Sequence, residues 1–108
     1  MPDFRSALIL LLVAGLPAGV HAGDAKAGRQ KALQCQTCHG LDGLAKIPEA
    51  PNLAGQPEAY LRKALADYKS GARRNDMMSL VAPSLSDTDI EDLASYFSSI
   101  QIEVKPPS

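Results

Sequence analysis

The chain has 108 residues, 2 cysteines, no tryptophan and a formal net charge of -1. With near-neutral charge and no basic block, arginine stripe or acidic tail, nothing points to nucleic acid or to a charged membrane surface. A chain of this length forms one domain with a modest apolar core, so a disulfide, a metal or a buried cofactor is needed to help hold it together.

The first segment reads as a secretory signal spanning residues 1–22. A short start carrying Arg5 precedes an apolar run from Ala7 to Val13 that continues loosely to Val20. Pro17 and Gly19 break any helix, and Val20-His21-Ala22 ends in the small residue that a signal peptidase requires. A membrane anchor is the competing reading, but the apolar stretch is shorter than the ~20 residues that cross a bilayer. Cleavage after Ala22 leaves residues 23–108 as the exported domain, with no membrane span. In an oxidising compartment its two thiols are open to a disulfide, a dithiol redox couple or consumption by another reaction.

Beyond the signal, helices alternate with loops. The first helix is expected over Ala25 to Gln36, with Asp24 as its N-cap and small residues, Gly28 among them, available for a close crossing. From Gly40 to Gly55 repeated glycines and prolines predict a loop. A second helix fits Pro57 to Ser70, stopped by Gly71. Gly71 to Leu85 reads as irregular. A third helix follows Ser86, its acidic first turn favouring the positive end of the helix dipole, with Ile90, Leu93, Ala94, Phe97 and Ile100 as one apolar stripe. No segment alternates with period two, so the pattern predicts an all-helical domain with long loops, and long loops in compact domains tend to be functional.

The chemistry concentrates in Cys35-Gln36-Thr37-Cys38-His39. At a helix end, positions i and i+3 face the same way, so both sulfurs can form thioethers with the vinyl groups of one porphyrin edge. His39 lies four residues beyond Cys35 on that face and can meet the iron as the ring is tethered. A thioredoxin-like dithiol uses the same cysteine spacing but follows a strand in an α/β pattern that is missing here. A structural zinc site wants four ligands, more than these residues supply. A plain disulfide leaves the adjacent histidine as coincidence. Covalent attachment of one haem c is the reading that uses all three residues.

His21 is lost with the signal, which leaves His39 as the remaining histidine and rules out two-histidine ligation within one chain. With both thiols occupied, the soft donors left for the opposite haem face are the thioethers of Met77 and Met78, in the loop after Gly71. The alternative for this pair is core padding, a frequent use of methionine. A ligating histidine usually donates its second N–H to a carbonyl, and Pro51 can present one without an N–H of its own, with Pro48 as competitor. Leu53, Leu61, Leu65 and Val81 are candidates to wall the ring. Gln56, Tyr60, Arg73 and Asn75 are candidates to hydrogen-bond its propionates, or are solvated surface residues.

These residues together resemble the class I cytochromes c, in particular the short bacterial periplasmic forms and single halves of bacterial dihaem cytochromes. The likeness runs through Cys-Gln-Thr-Cys-His-Gly at 35–40, Asp42-Gly43, Pro51-Asn52-Leu53-Ala54-Gly55-Gln56, Tyr60-Leu61 and Gly71 through Met78. It ends in Leu85-Ser86-Asp87, Asp89-Ile90, Leu93-Ala94 and Tyr96-Phe97. The resemblance implies a class I cytochrome c fold wrapped around one covalent haem, with the first and last helices crossing so that Gly28 meets the Tyr96-Phe97 side of the last helix. It also implies a periplasmic location and Met78 as the ligand methionine. The second methionine at 77 departs from the pattern, and with one attachment motif any dihaem behaviour needs a partner subunit.

The function expected is one-electron transfer by a carrier that is not itself an enzyme, exchanging electrons through brief docking with redox proteins. Thioether ligation in a dry pocket favours the ferrous form and raises the reduction potential above that of a two-histidine haem. Two alternatives are the haem subunit of a periplasmic oxidoreductase, such as a flavoprotein oxidising sulfur compounds, and a binder of gas or peroxide at an open iron position.

Overall fold

The computed structural model describes residues 23–108, together with the isolated positions 2, 9, 12 and 15; the secretory signal expected over residues 1–22 lies outside the described residues. Among the described residues five α-helices follow in order: α1 Ala25–Lys31, α2 Gln36–His39, α3 Glu58–Ser70, α4 Met78–Val81 and α5 Asp87–Ser99. No strand occurs among the described residues, and no helix there is long and apolar enough to cross a membrane.

The helix starts and stops follow from local chemistry. Asp24 Oδ1 accepts from the backbone N–H of Lys26 (2.9 Å) and Ala27 (3.2 Å), opening α1. Gly71 ends α3 with φ of 86°, in the left-handed region where a side chain is strained. Ser86 and Asp89 form a reciprocal capping box at α5: Ser86 Oγ accepts from Asp89 N–H at 3.0 Å and Asp89 Oδ2 accepts from Ser86 N–H at 2.9 Å.

Two elements depart from the expected pattern. The helix expected to run unbroken from Ala25 to Gln36 ends at Lys31, tightens into a 3₁₀ turn over Ala32–Gln34 and reopens as α2. The Cys35 N–H reaches the Ala32 carbonyl at 2.9 Å, three residues back, whereas the His39 N–H reaches the Cys35 carbonyl at 3.0 Å, four residues back. That change of register re-aims Cys35, Cys38 and His39 as one group relative to α1. The segment expected to be irregular from Gly71 to Leu85 contains α4 and a following 3₁₀ turn over Ala82–Ser84.

α1 crosses α5 at its closest approach through Gly28. A Cβ built there would lie 2.0 Å from the Asp92 carbonyl oxygen and 2.7 Å from the Tyr96 Cβ, so the two backbones meet because residue 28 has no side chain. The crossing is clamped by Asp92, a buried carboxylate that accepts from the Asp24 N–H at 2.9 Å and from Lys31 Nζ at 2.7 Å. Lys31 also reaches Asp89 at 2.9 Å. The apolar stripe of α5 (Ile90, Leu93, Ala94, Phe97) packs with Ala32, Leu61 and Leu85 into one core. α3 closes over this core, leaving a cavity between it, α2, α4 and the loop after His39.

Candidate functional site

The cavity has a volume of about 410 Å³, within the range of ligand pockets. Its walls are mostly apolar: Leu53, Leu61, Leu65, Val81, Leu85 and Phe97 all face it. Set into those walls are Cys35, Cys38, His39, Met77 and Met78.

His39 is buried, with 8% of its surface exposed. Its Nδ1 lies 3.0 Å from the Pro51 carbonyl. A carbonyl only accepts, so Nδ1 carries the proton and Nε2 holds the lone pair, the tautomer a metal-binding imidazole needs. Pro48, the competing acceptor, is exposed. The loop that brings Pro51 to this place is knotted by its own hydrogen bonds. The Gly43 carbonyl accepts from the N–H groups of Leu53 (2.7 Å) and Ala54 (3.0 Å), Asn52 Oδ1 accepts from Ala45 N–H (2.7 Å), and Lys46 N–H returns to the Cys38 carbonyl (2.8 Å). Tyr96 ties the loop to α5 by donating its hydroxyl to the Leu41 carbonyl.

The two thiols are free in the polypeptide. Burial pushes the Cys35 thiol up to about 11, the reverse of the lowered pKa that makes an exchange-active dithiol. Cys35 stands half-buried at the edge of the apolar cavity, where its sulfur is placed to tether a ring that fills it.

Met78 is half-buried, whereas Met77 is 58% exposed. Val81, at the end of α4, lies three residues beyond Met78 and four beyond Met77 and is shared by both; the buried Ala82, in the 3₁₀ turn that follows, lies four beyond Met78, whereas Leu80, 77% exposed, lies three beyond Met77. One face of the short helix therefore turns inward with Met78 and the other turns outward with Met77, although both side chains border the cavity.

The remaining expected residues are distributed around the same cavity. Gln56, Tyr60, Arg73 and Asn75 all border it. Arg73 donates to the Tyr60 hydroxyl at 3.4 Å and lies 4.8 Å from the centre of the Tyr68 ring. Asn75 has a task that sequence reasoning did not assign: its Oδ1 accepts from the backbone N–H of Met77 and of Met78, each at 3.0 Å. Sequence reasoning also missed Asn52 and Tyr96 as loop anchors and Ser79 as a helix-start residue. An Asn placed just before a short apolar run is a cap signal, and Asn75 carries it. The anchors made by Asn52 and Tyr96 are long-range and leave no local pattern.

These observations fit one flat, iron-bearing ring held by two thioethers and an imidazole: paired thiols, an imidazole in the metal-binding tautomer, a thioether and an apolar enclosure all border one cavity. A family model described as "Cytochrome c" matches residues 25–101. The chain belongs to the cytochrome c family. Its single Cys-x-x-Cys-His motif implies one haem c on this chain. It is 47% identical over 96 residues to cytochrome c4 of Pseudomonas aeruginosa, a match covering 88% of this chain and 48% of that one. Cytochrome c-554(548) of Halomonas halodenitrificans is 44% identical over 81 residues, covering 72% of this chain and 98% of that one. The crystal structure of reduced recombinant cytochrome c4 from Pseudomonas stutzeri superposes with a TM-score of 0.69 at 45% identity, covering 74% of this chain and 47% of that one. The chain thus spans about half the length of the cytochromes c4 it matches and nearly the whole of the shorter relative.

Proposed function

We propose that the chain is a one-electron carrier whose haem is attached through Cys35 and Cys38 and ligated by His39 and Met78. The observation that carries this reading is the convergence, on one apolar cavity, of both motif sulfurs, a histidine with Nδ1 committed to the Pro51 carbonyl, and Met78. When bound, the haem supplies a reversible one-electron couple. The polypeptide supplies everything that makes the couple usable. Cys35 and Cys38 anchor the ring, and the Pro51 carbonyl fixes the His39 tautomer and orientation. Leu53, Leu61, Leu65 and Phe97 exclude water, and Met78 offers a neutral soft donor that favours the reduced state. Residues 1–22 act as an export signal, residues 23–108 form the cytochrome domain, and the domain works in the periplasm.

Electrons pass through brief docking with redox proteins at the cavity rim, where Tyr60 and Met77 are exposed. A second reading has the chain serve as the haem component of a sulfur-oxidising oxidoreductase. It is favoured by the 40% identical relative from Thiomonas intermedia that is named a thiosulfate dehydrogenase electron acceptor. Spectroelectrochemical titration of the holoprotein tests the main reading: one Nernstian step of a single electron is expected, with the same low-spin spectrum type at both ends. A ferric form that is high-spin and takes up cyanide at once contradicts it. Reduction of the holoprotein by a thiosulfate dehydrogenase with thiosulfate, at rates that saturate with cytochrome, favours the second reading.

A further inference from the structure

Two adjacent methionines border the cavity, and something must choose between them. Successive residues on an α-helix are ~100° apart around the axis, so the start of α4 can turn Met77 or Met78 inward but not both. The choice is a matter of helix rotation, and the structure holds that rotation from two directions.

Asn75 closes the turn that leads into α4, two residues before its N-cap Met77. Its Oδ1 accepts from the N–H groups of Met77 and Met78, each at 3.0 Å, and its carbonyl accepts the first helical bond from Ser79 N–H at 2.9 Å. Ser79 answers with its side chain: Ser79 Oγ accepts from the Asn75 N–H at 2.9 Å. The backbone amides of both candidate ligands are thereby bound to one side-chain oxygen, and the residue that carries this oxygen is held in turn from the next turn of the helix. With this closure intact, Met78, Val81 and Ala82 face inward and Met77 and Leu80 outward. Turning Met77 inward would break both Asn75 Oδ1 bonds and carry the exposed Leu80 toward the core in place of the buried Ala82.

We infer that Asn75 and Ser79 form a rotational lock that selects Met78 over Met77 as the haem ligand, acting as positioning residues through the backbone of α4. The inference rests on the reading that Met78 ligates the haem.

The test is NMR of the reduced holoprotein carrying methionine labelled at the ε-methyl, because the methyl of a ligating methionine lies over the porphyrin and is shifted far upfield. The unmodified chain is expected to show one such methyl, lost in Met78→Leu and kept in Met77→Leu. Asn75→Ala should add a second upfield methyl with about a tenth or more of the intensity, a rise of at least about fivefold in the Met77-ligated form. That methyl should vanish in Asn75→Ala/Met77→Leu. Asn75→Asp keeps an oxygen acceptor and should show the Met78 methyl alone, while Ser79→Ala should give a smaller second methyl. If Asn75→Ala yields no holoprotein, Ser79→Ala decides. A Met78 methyl alone in both Asn75→Ala and Ser79→Ala overturns the lock, as does a second methyl of equal size in Asn75→Asp. Absence of any upfield methyl in the unmodified chain instead overturns Met78 ligation itself, so the two failures are distinguishable.

Discussion

The His39 imidazole donates from Nδ1 to the Pro51 carbonyl across 3.0 Å, joining two residues 12 apart in sequence. This bond fixes which ring nitrogen keeps a lone pair, and it hangs on a loop held by Gly43, Asn52 and Lys46. Pro51→Ala retains the carbonyl and loosens the chain that presents it. The expected result is an unchanged spectrum with about 0.4–1 kcal/mol less stability, from the greater freedom of the unfolded chain. Guanidinium titration of the oxidised holoprotein measures it.

Met78→Leu is expected to abolish the weak long-wavelength thioether band and to lower the midpoint potential by on the order of tenths of a volt, inside the ≈ 0.8 V span that axial ligands command. Met77→Leu should leave both nearly unchanged, because the face of α4 shared by Met77 and Leu80 is turned to solvent. Visible spectra and a redox titration of the two variants make the comparison.

Gly28→Ala places a methyl group 2.0 Å from the Asp92 carbonyl oxygen. Both contacting groups belong to the α1–α5 crossing, so neither a rotamer change nor a flexible tip relieves the clash. A loss of about 2–3 kcal/mol or more is expected, typical of overpacking against backbone. Chemical denaturation of the holoprotein is the measurement, with a haem spectrum expected to stay native at low denaturant.

The acid limb of stability should depend on Asp89. The Ser86 backbone N–H, and after it the Lys31 ammonium, hold the Asp89 carboxyl below its ordinary value of 3.8. A lowered folded value means that this group stabilises the protein above its unfolded pKa, and the contribution drains away as pH falls through the folded one. Asp89→Asn keeps an oxygen acceptor for the Ser86 N–H but loses the charge that faces it and Lys31, and should therefore cost about 0.5 kcal/mol at neutral pH after discounting for solvent screening. The gap from the unmodified chain should close as pH falls below the ordinary value of 3.8 and through the lower folded one. Lys31 shows the mirror case. Hydrogen bonds to Asp92 and then Asp89 raise it above 10.5, so its contribution is complete below that pH and is lost as pH rises through the folded value. Lys31→Met should flatten the alkaline limb. Denaturation midpoints across the pH range measure both.

Much of the fold could be read from local signals. Asp24, Gly71 and Ser86 each announce a helix boundary through short-range hydrogen bonding or a left-handed backbone, and the stripe on α5 declares its buried face. The motif at Cys35 to His39 is equally local. Two features were hidden for physical reasons. The 3₁₀ turn at Ala32–Gln34 uses residues that are ordinary helix formers, and it arises where the chain leaves the α5 crossing to aim the motif at the cavity. α4 is only four residues long and is followed by Pro83, so it lacks the length for periodicity to register. The site was legible as a set of residue types, but its hydrogen-bond closure was not. The use of Asn75 Oδ1 by two backbone amides, the reach of Tyr96 to the Leu41 carbonyl, and the Asn52 clip on Ala45 all depend on how distant segments fold back.

The most direct measurement of the central claim is the intact mass, read with the visible spectrum, of protein matured alongside export and haem-attachment machinery. The account predicts the mass of the chain from Gly23 plus one haem, unchanged by acid–acetone extraction, and a low-spin c-type spectrum. A colourless product at the mass of the bare polypeptide, with Cys35 and Cys38 as free thiols or joined as a cystine, would contradict it.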